Sequence, residues 1–364
     1  MKVCFVHAGL KQHGGIGRVV SIVANSLSKL EDTEIHVLSF CDSLGEADVY
    51  ELEQEIKRSC LFAKKLSMQK ALIKGAVLKL ASYIRKNKIQ IVIACGALYF
   101  PLVVMAGKLG GARSVCWEHT NPSVSNDYKF QGLARRFGML FSDKNILITQ
   151  AAKSFYDLRS NARKNVLIYN PAESALFKTT PVYQETSTKI ISVGRLAYPK
   201  NYLLLVEIAA EIFEQFPEWQ WHIYGDGEER NAIEAKIERF GLKDKVILHG
   251  NVKDIYERYD QYAFIVMTSR YEGFPMVLIE ASARGLPMIS FDIETGPNEI
   301  IHNGNNGYLI PNGNVAMMIK RIKELVNDID KRRQFSRNAV DSAVCFEIAQ
   351  ITTKWFTVLT GLLR

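Results

Sequence analysis

The chain has no closely spaced cysteine pair and no extended N-terminal apolar segment. Its six cysteines are scattered among 364 residues, without a Cys-x-x-Cys motif. Cys4, Cys95 and Cys116 lie inside apolar, strand-like runs, which predicts reduced core residues and a cytoplasmic location. The apolar run that starts at Val3 is interrupted at His7, so we expect no signal peptide.

A long uncharged segment, Ile89 to Gly107, could be mistaken for a transmembrane helix. Its nineteen residues contain no charged side chain. However, Gly96 and Pro101 interrupt it, and the β-branched run that starts at Ile91 is typical of a buried strand. We therefore expect a strand, a turn and a buried helix here.

Carboxylates are absent between Glu55 and Glu118. Residues 1–172 hold 24 Lys and Arg against 13 Asp and Glu, whereas the remainder holds 22 against 25. Within the acid-free gap, apolar residues alternate with ten cations: Lys57, Arg58, Lys64, Lys65, Lys70, Lys74, Lys79, Arg85, Lys86 and Lys88. A basic face beside an apolar face predicts an interfacial helix on an anionic membrane surface. No nucleic-acid-binding motif accompanies this charge, so we expect no nucleic-acid partner.

Strand-like and helix-like segments alternate along the chain in two successive series. The length suits two domains, with a join near Asn170-Pro171. The first series has strands at 3–6, 35–40, 91–95, 114–117, 145–149 and 166–169, and the second at 189–193, 219–224, 246–248, 264–267 and 288–291. Such alternation predicts two α/β, doubly wound, Rossmann-like domains with a ligand cleft beyond the carboxyl ends of the strands.

The segment after the strand 264–267 carries two glutamates around a predicted helix start. Proline is favoured at the first helical position, so the helix is expected to begin at Pro275. Free N–H groups and the positive end of the helix dipole would form an anion site there. Glu272 would lie in the loop before this site and Glu280 about two turns into the helix. Carboxylates beside a phosphate site suit the hydroxyl groups of a nucleotide-sugar.

Other candidate residues follow predicted strands in both halves. Arg195 and Lys200 come after the strand 189–193, where Arg can bind phosphate oxygens in a bidentate way and Lys acts as a point charge. Gly14 and Gly15 follow the first strand, where they would let backbone N–H groups approach a phosphate. Their spacing fits neither the dinucleotide fingerprint nor a phosphate loop. His119 follows the strand 114–117.

The stretch from Glu272 to Glu280 resembles the E-x7-E signature of retaining glycosyltransferases with the GT-B fold (glycosyl transferases group 1). The resemblance implies domains at 1–172, which binds the acceptor, and 173–345, which binds the nucleotide-sugar, with a helix at 346–364 that crosses back to the first domain. It implies that Arg195 and Lys200 hold the donor diphosphate, Glu280 the ribose and Glu272 the sugar, with His119 close to the reacting centre. The implied donor-binding set also includes Gly14, Gly15, Val252, Gly273, Phe274, Pro275, Val277 and Leu278.

The resemblance implies a retaining hexosyltransferase in bacterial lipopolysaccharide or capsule synthesis. It would move a sugar from a nucleotide diphosphate, such as UDP, to a glycan or polyprenyl-diphosphate-linked acceptor at the inner face of the cell membrane. We expect no cofactor and no metal, since Asp328-Ile329-Asp330 lies between helices and is interpreted as a chance match to a metal motif. A nucleotide-sugar epimerase and a non-catalytic polysaccharide-assembly subunit remain alternatives. The missing glycine fingerprint disfavours a nicotinamide dehydrogenase.

Overall fold

The structure is a computed structural model that describes residues 1–10, 14–41, 49–64, 66–73, 75–121, 129–179, 181–253 and 255–364. It divides into two compact units: Met1–Pro171 together with Ile348–Arg364 form unit 1, and Ala172–Glu347 form unit 2.

Unit 1 is built on a parallel sheet of seven strands. They are β1 (Lys2–His7), β2 (Glu34–Cys41), β3 (Lys57–Phe62), β4 (Ile91–Cys95), β5 (Arg113–Glu118), β6 (Lys144–Leu147) and β7 (Asn165–Leu167). Their order in the sheet is β3-β2-β1-β4-β5-β6-β7. The central strands are almost wholly buried, as expected when helices cover both faces of a parallel sheet.

Six helices connect these strands. They are α1 (Gly15–Ser28), α2 (Met68–Ile73), α3 (Ala76–Asn87), α4 (Phe100–Gly110), α5 (Lys129–Phe141) and α6 (Gln150–Asp157). Helices α3 and α4 pack side by side, and α4 packs against α5. Gly138 permits close packing of α5, since a Cβ atom there would lie 2.4 Å from Cβ of Phe100.

Unit 2 repeats the architecture with six parallel strands. They are β8 (Lys189–Val193), β9 (Gln220–Tyr224), β10 (Val246–Gly250), β11 (Phe264–Met267), β12 (Met288–Asp292) and β13 (Gly307–Pro311), in the order β10-β9-β8-β11-β12-β13. The helices are α7 (Tyr202–Gln215), α8 (Arg230–Arg239), α9 (Met276–Ala283), α10 (Val315–Asn327) and α11 (Ile329–Ala343). The two sheets confirm the predicted fold of two Rossmann-like units.

The C-terminal helix α12 (Ile348–Gly361) belongs to unit 1. It packs against α1, where the hydroxyl oxygens of Ser26 and Thr352 lie 2.6 Å apart. Trp355 is fully buried, with its ring centre 4.7 Å from that of Trp117 and 6.3 Å from that of Phe5. The last helix therefore completes the core of unit 1 although the chain forms unit 2 before it.

The segment predicted as one basic interfacial helix was assigned wrongly. Its first part is the strand β3, which pairs in parallel register with β2 at the edge of the sheet. Exposed Lys57 and Arg58 suit this position, because charged side chains protect an edge strand from further pairing. Helices α2 and α3 follow, while Lys65 and Lys74 lie outside the described residues.

The long uncharged segment folds as predicted, into β4, a short turn and α4. Within the described part of the chain, no helix is long and apolar enough to cross a membrane. The edge strand β13 was not predicted from the sequence; its glycine-rich approach and five-residue length gave little periodic signal.

Candidate nucleotide-sugar site

In unit 2, the predicted diphosphate-binding residues follow β8, and the two glutamates follow β11. These strands are neighbours and run parallel, so their carboxyl ends lie at the same edge of the sheet. Lys200 ends a short 3₁₀ turn, Tyr198–Lys200, and helix α7 begins only at Tyr202. The two loops therefore meet at one edge of the sheet.

Lys200 and Glu272, seventy-two positions apart, form an ion pair. Nζ of Lys200 lies 2.6 Å from Oε1 of Glu272, and the side chains are 21% and 13% exposed. The hydroxyl of Ser269 donates to the same carboxylate oxygen at 2.7 Å. Partial burial makes this pair more strongly coupled than a surface pair, and each charge is already compensated by the other.

A second group of contacts holds the two loops together. The hydroxyl of Thr268 donates to the carbonyl oxygen of Lys200 at 3.0 Å. The guanidinium of Arg270 donates to Oδ1 of Asn201 at 2.7 Å and lies 4.6 Å from the ring centre of Tyr198. Asn201 has φ +57°, a left-handed conformation in which glycine is favoured and asparagine is tolerated. This explains why Asn can occupy a position where the resembling family commonly has Gly.

Arg195 lies at the same sheet edge but in a more open position. Its side chain is 73% exposed and contacts Glu228, with Nε donating to Oε2 at 3.1 Å. Such an exposed pair contributes little, about 0–1 kcal/mol, so Arg195 can exchange Glu228 for another anion at small cost. The backbone beneath it is tightly packed, because a Cβ atom on Gly225 would lie 2.0 Å from the carbonyl oxygen of Gly194.

The N-terminus of α9 lies directly after Glu272. The helix begins at Met276 with Pro275 as its cap, and no acidic side chain occupies its first turn. Its first amides have no intrahelical acceptor, which favours an anion there. Gly273 is partly exposed, whereas Phe274 and Pro275 are buried. Leu278 is fully buried, and its amide donates to the carbonyl oxygen of Pro275 at 3.0 Å.

The loop after β12 supports this helix start. The hydroxyl of Thr295 donates to the carbonyl oxygen of Glu272 at 2.6 Å. Gly296 adopts φ +102°, and a Cβ atom there would lie 2.5 Å from Cδ of Pro275, so this position requires glycine. Thr295 and Gly296 thus fix the backbone from which Glu272 projects.

Glu280 lies closer to the helix start than predicted. It is the fifth residue of α9, just over one turn in rather than two, because the helix begins at Met276. Its side chain is 1% exposed, and its Oε2 accepts a hydrogen bond from the hydroxyl of Tyr259 at 3.1 Å. Val277, one turn earlier, is partly exposed.

Val252 lies beyond the carboxyl end of β10, at the sheet edge that also carries β9. The turn before it is fixed by the amide of Gly225, which donates to the carbonyl oxygen of Gly250 at 2.8 Å. Behind it, Nδ1 of His222 lies 2.9 Å from Nε2 of His249. Burial lowers the pKa of His222 to about 4, with the neighbouring imidazole adding to the effect.

In unit 1, Gly14 and Gly15 stand at the N-terminus of α1. Gly14 has extended backbone and caps the helix, and its amide donates to the hydroxyl of Tyr50 at 3.0 Å. A Cβ atom on either glycine would meet nothing within 4 Å. The fold of unit 1 itself therefore does not require glycine here, which leaves close approach by a ligand as a reason for the pair.

His119 follows β5 and is 8% exposed, packed with its ring centre 4.4 Å from that of Trp117. Burial lowers its pKa to about 3, so the imidazole is neutral near pH 7. Its Nε2 has no hydrogen-bond partner among the described residues. The preceding Glu118 is buried in an ion pair with Arg135 at 2.7 Å, which makes it a structural support.

The described residues contain no cluster of three or more His, Cys, Asp or Glu side chains that could hold a metal ion. The Asp328-Ile329-Asp330 match has ordinary structural roles: Asp328 caps α11 by accepting from the amide of Lys331, and Asp330 pairs with Arg333.

The sequence gave no role to several residues that organise this site. Thr268 and Ser269 lie in the signature stretch itself, yet their contacts run to a loop about seventy residues earlier. Asn201 and Thr295 act through backbone conformation and a backbone carbonyl, which no spacing rule reveals. The polar turn chemistry of these residues was their only signal in the sequence.

The fold and these loops define a glycosyltransferase with the GT-B fold. Residues 177–341 match the sequence model of the family described as glycosyl transferases group 1, and the chain belongs to that family. It is 26% identical over 373 aligned residues to the amylovoran biosynthesis glycosyltransferase AmsD of Erwinia amylovora, covering 98% of this chain and 99% of the relative. It is 24% identical to a Campylobacter jejuni N-acetylgalactosaminyltransferase that acts on an undecaprenol-diphosphate-linked glycan, covering 99% and 98%.

Solved structures agree on the fold. The poly(ribitol-phosphate)-modifying relative TarM of Staphylococcus aureus, in a complex that contains UDP, superposes with a TM-score of 0.82 at 18% identity and covers 98% of this chain and 99% of its own. HepE of Anabaena in complex with UDP has a TM-score of 0.82 at 19% identity, covering 99% and 100%.

Proposed function

We propose that the chain is a retaining, metal-independent hexosyltransferase that uses a UDP-sugar donor in bacterial surface polysaccharide synthesis. The observation that carries this proposal is the Lys200–Glu272 pair beside the N-terminus of α9, since it brings a phosphate-binding cation, a hydroxyl-binding carboxylate and free helix amides to one sheet edge. The UDP complexes of TarM and HepE support the choice of nucleotide.

In the proposed complex, Lys200 and Arg195 bind the diphosphate together with the first amides of α9. Glu280 binds the ribose hydroxyls and Glu272 the sugar hydroxyls, while the backbone around Val252 meets the base. These groups stabilise the negative charge that develops on the diphosphate as the bond to the sugar breaks, which is commonly the largest single term in catalysis.

The acceptor side is assigned to unit 1. The Gly14-Gly15 amides approach the diphosphate, and His119 lies close to the reacting centre as a neutral hydrogen-bonding group, as its lowered pKa requires. The acceptor hydroxyl attacks the sugar carbon from the face that the diphosphate leaves. Its proton passes to a phosphate oxygen, so no protein nucleophile is needed. The acceptor is a glycan or a polyprenyl-diphosphate-linked glycan at the cytoplasmic face of an anionic membrane.

The proposal is tested by incubating the chain with a panel of nucleotide-sugars, first alone and then with a polyprenyl-diphosphate-linked oligosaccharide. A thermal shift with one UDP-sugar, followed by transfer that keeps the donor's anomeric configuration by NMR, is expected. Inversion of the anomeric centre contradicts the retaining assignment. Release of an epimerised nucleotide-sugar without acceptor identifies an epimerase instead, and the absence of any turnover with intact fold favours an assembly subunit.

A further inference from the structure

Three neighbouring helices of unit 1 form an outer layer that contains no carboxylate. They are α3, α4 and α5, and they contact one another in that order. Not one Asp or Glu occurs within their bounds, whereas five of their exposed residues are cations: Lys79, Arg85, Lys86, Lys108 and Arg136. We refer to these helices as the α3–α4–α5 layer.

The same layer exposes many large apolar side chains. They are Leu78 on α3, Met105 and Leu109 on α4, and Phe130, Leu133, Leu140 and Phe141 on α5. Leu133 is 67% and Leu78 68% exposed, values that are high for leucine in a folded protein. Contiguous exposed apolar groups beside charges mark an interaction surface rather than scattered surface residues.

The pattern on α5 indicates that this exposure is organised. Phe130, Leu133, Phe137 and Leu140 follow one another at intervals of three or four residues and so share one face of the helix. That face is exposed or half-exposed, while Ala134 and the opposite face are buried against unit 1. The helix thus carries a second apolar stripe in addition to the one it needs for its own packing.

Cations are interleaved with this stripe. Nζ of Lys108 on α4 lies 5.5 Å from the ring centre of Phe141 on α5, which joins the two helices at the surface. On α3, Lys79 lies 4.4 Å from the ring centre of Phe62. Long basic side chains that rest on apolar neighbours can place their charges at lipid phosphates while the apolar groups enter the acyl boundary.

We propose that the α3–α4–α5 layer is the surface by which this chain docks on an anionic lipid bilayer. Charge complementarity selects this occupant, because an acid-free layer with five exposed cations repels another copy of itself and attracts anionic headgroups. The inference rests on the proposed function only in that a lipid-linked acceptor gives docking a purpose; it differs from the interfacial helix predicted between Lys57 and Lys88, whose first part is an edge strand.

The test is flotation of the full chain with vesicles of phosphatidylcholine alone or mixed with phosphatidylglycerol. Binding is expected only to the mixed vesicles and should weaken as salt is raised. Leu133→Glu should lower the vesicle affinity about tenfold or more. Replacing Lys108 and Arg136 together by Gln should lower it by roughly fivefold for each charge removed.

Matched controls separate this surface from general effects. Leu158→Glu changes an equally exposed leucine of unit 1 outside the layer, and the double change of Arg239 and Lys243 to Gln removes two exposed cations of unit 2. Both controls should bind vesicles as the unchanged chain does. Thermal midpoints confirm that each variant is folded.

Equal binding by Leu133→Glu and the unchanged chain overturns the proposal. So does a change in oligomeric state, by light scattering, without a change in vesicle binding, since the layer would then be a protein interface. UDP binding is measured separately by calorimetry: vesicle binding without UDP binding rejects the proposed function and leaves the docking surface in place.

Discussion

The Lys200–Glu272 pair predicts opposite responses of UDP binding when its two members are neutralised. In the ligand-free chain, the ammonium of Lys200 is compensated by Glu272 at 2.6 Å. A diphosphate must compete with this carboxylate for the same cation. Glu272→Gln removes the competing charge and should leave UDP binding unchanged or make it tighter, whereas Lys200→Met should weaken it.

The size of the effect follows from the burial of the pair. With side chains 21% and 13% exposed, solvent screens it less than a surface pair. A hydrogen bond to a charged group contributes about 1.5–3 kcal/mol, so Lys200→Met should weaken UDP binding by roughly 10- to 100-fold. Part of the same energy is recovered in Glu272→Gln, which we expect to bind UDP up to about tenfold more tightly. Sugar transfer should nevertheless fall by about 10²-fold, since Glu272 is assigned to the sugar.

Calorimetric titration with UDP, followed by a transfer assay, measures both quantities. Glu228→Gln is the matched control, because it removes an exposed carboxylate that faces Arg195 and not Lys200. The double variant of Lys200 and Glu272 should bind UDP like Lys200→Met alone. Weaker UDP binding in Glu272→Gln would refute the competition argument, and unchanged binding in Lys200→Met would refute the role of Lys200.

Four further outcomes are expected. Arg195→Ala should lower transfer about 10²-fold, measured as kcat/KM, without lowering the thermal midpoint, because the side chain is 73% exposed. Transfer should persist in excess EDTA; complete loss that Mn²⁺ restores would contradict metal independence. Asn201→Val should lower the free energy of unfolding by about 1–3 kcal/mol in urea, since φ is +57° there, whereas Asn201→Gly should cost less. Lowering the pH from 7 to 5 should destabilise the fold by about 2 kcal/mol through His222, whose pKa of about 4 in the fold lies below its unfolded value, so that the unfolded chain takes up the proton first; His222→Asn should flatten this dependence, and an unchanged slope would contradict it.

Much of the fold could be predicted because parallel strands buried on both faces read as short apolar runs between helical segments. The strands β4, β8 and β11 were predicted with the bounds that the structure shows. The start of α9 was placed within one residue, since proline marks a helix start with little ambiguity.

The errors arose where tertiary context decides the structure. Strand β3 carries Lys57 and Arg58, which look like part of a basic helix until pairing with β2 places them at a sheet edge. The contact between Lys200 and Glu272 joins two loops through the adjacency of β8 and β11, and the sequence fixes neither strand order nor side-chain direction. Burial of Glu280 and His119 likewise depends on packing from several elements.

The neutral Lys200–Glu272 pair also bears on how a two-part donor would be recognised under the proposed function. A diphosphate that takes Lys200 leaves the carboxylate of Glu272 without its cation, although Ser269 still donates to it. An uncompensated, mostly buried carboxylate is costly unless new donors reach it. The hydroxyl groups of the sugar are such donors, so the complete nucleotide-sugar satisfies both charges where UDP alone satisfies one. The ion pair thereby favours the intact donor over the released nucleotide, which helps the product to leave.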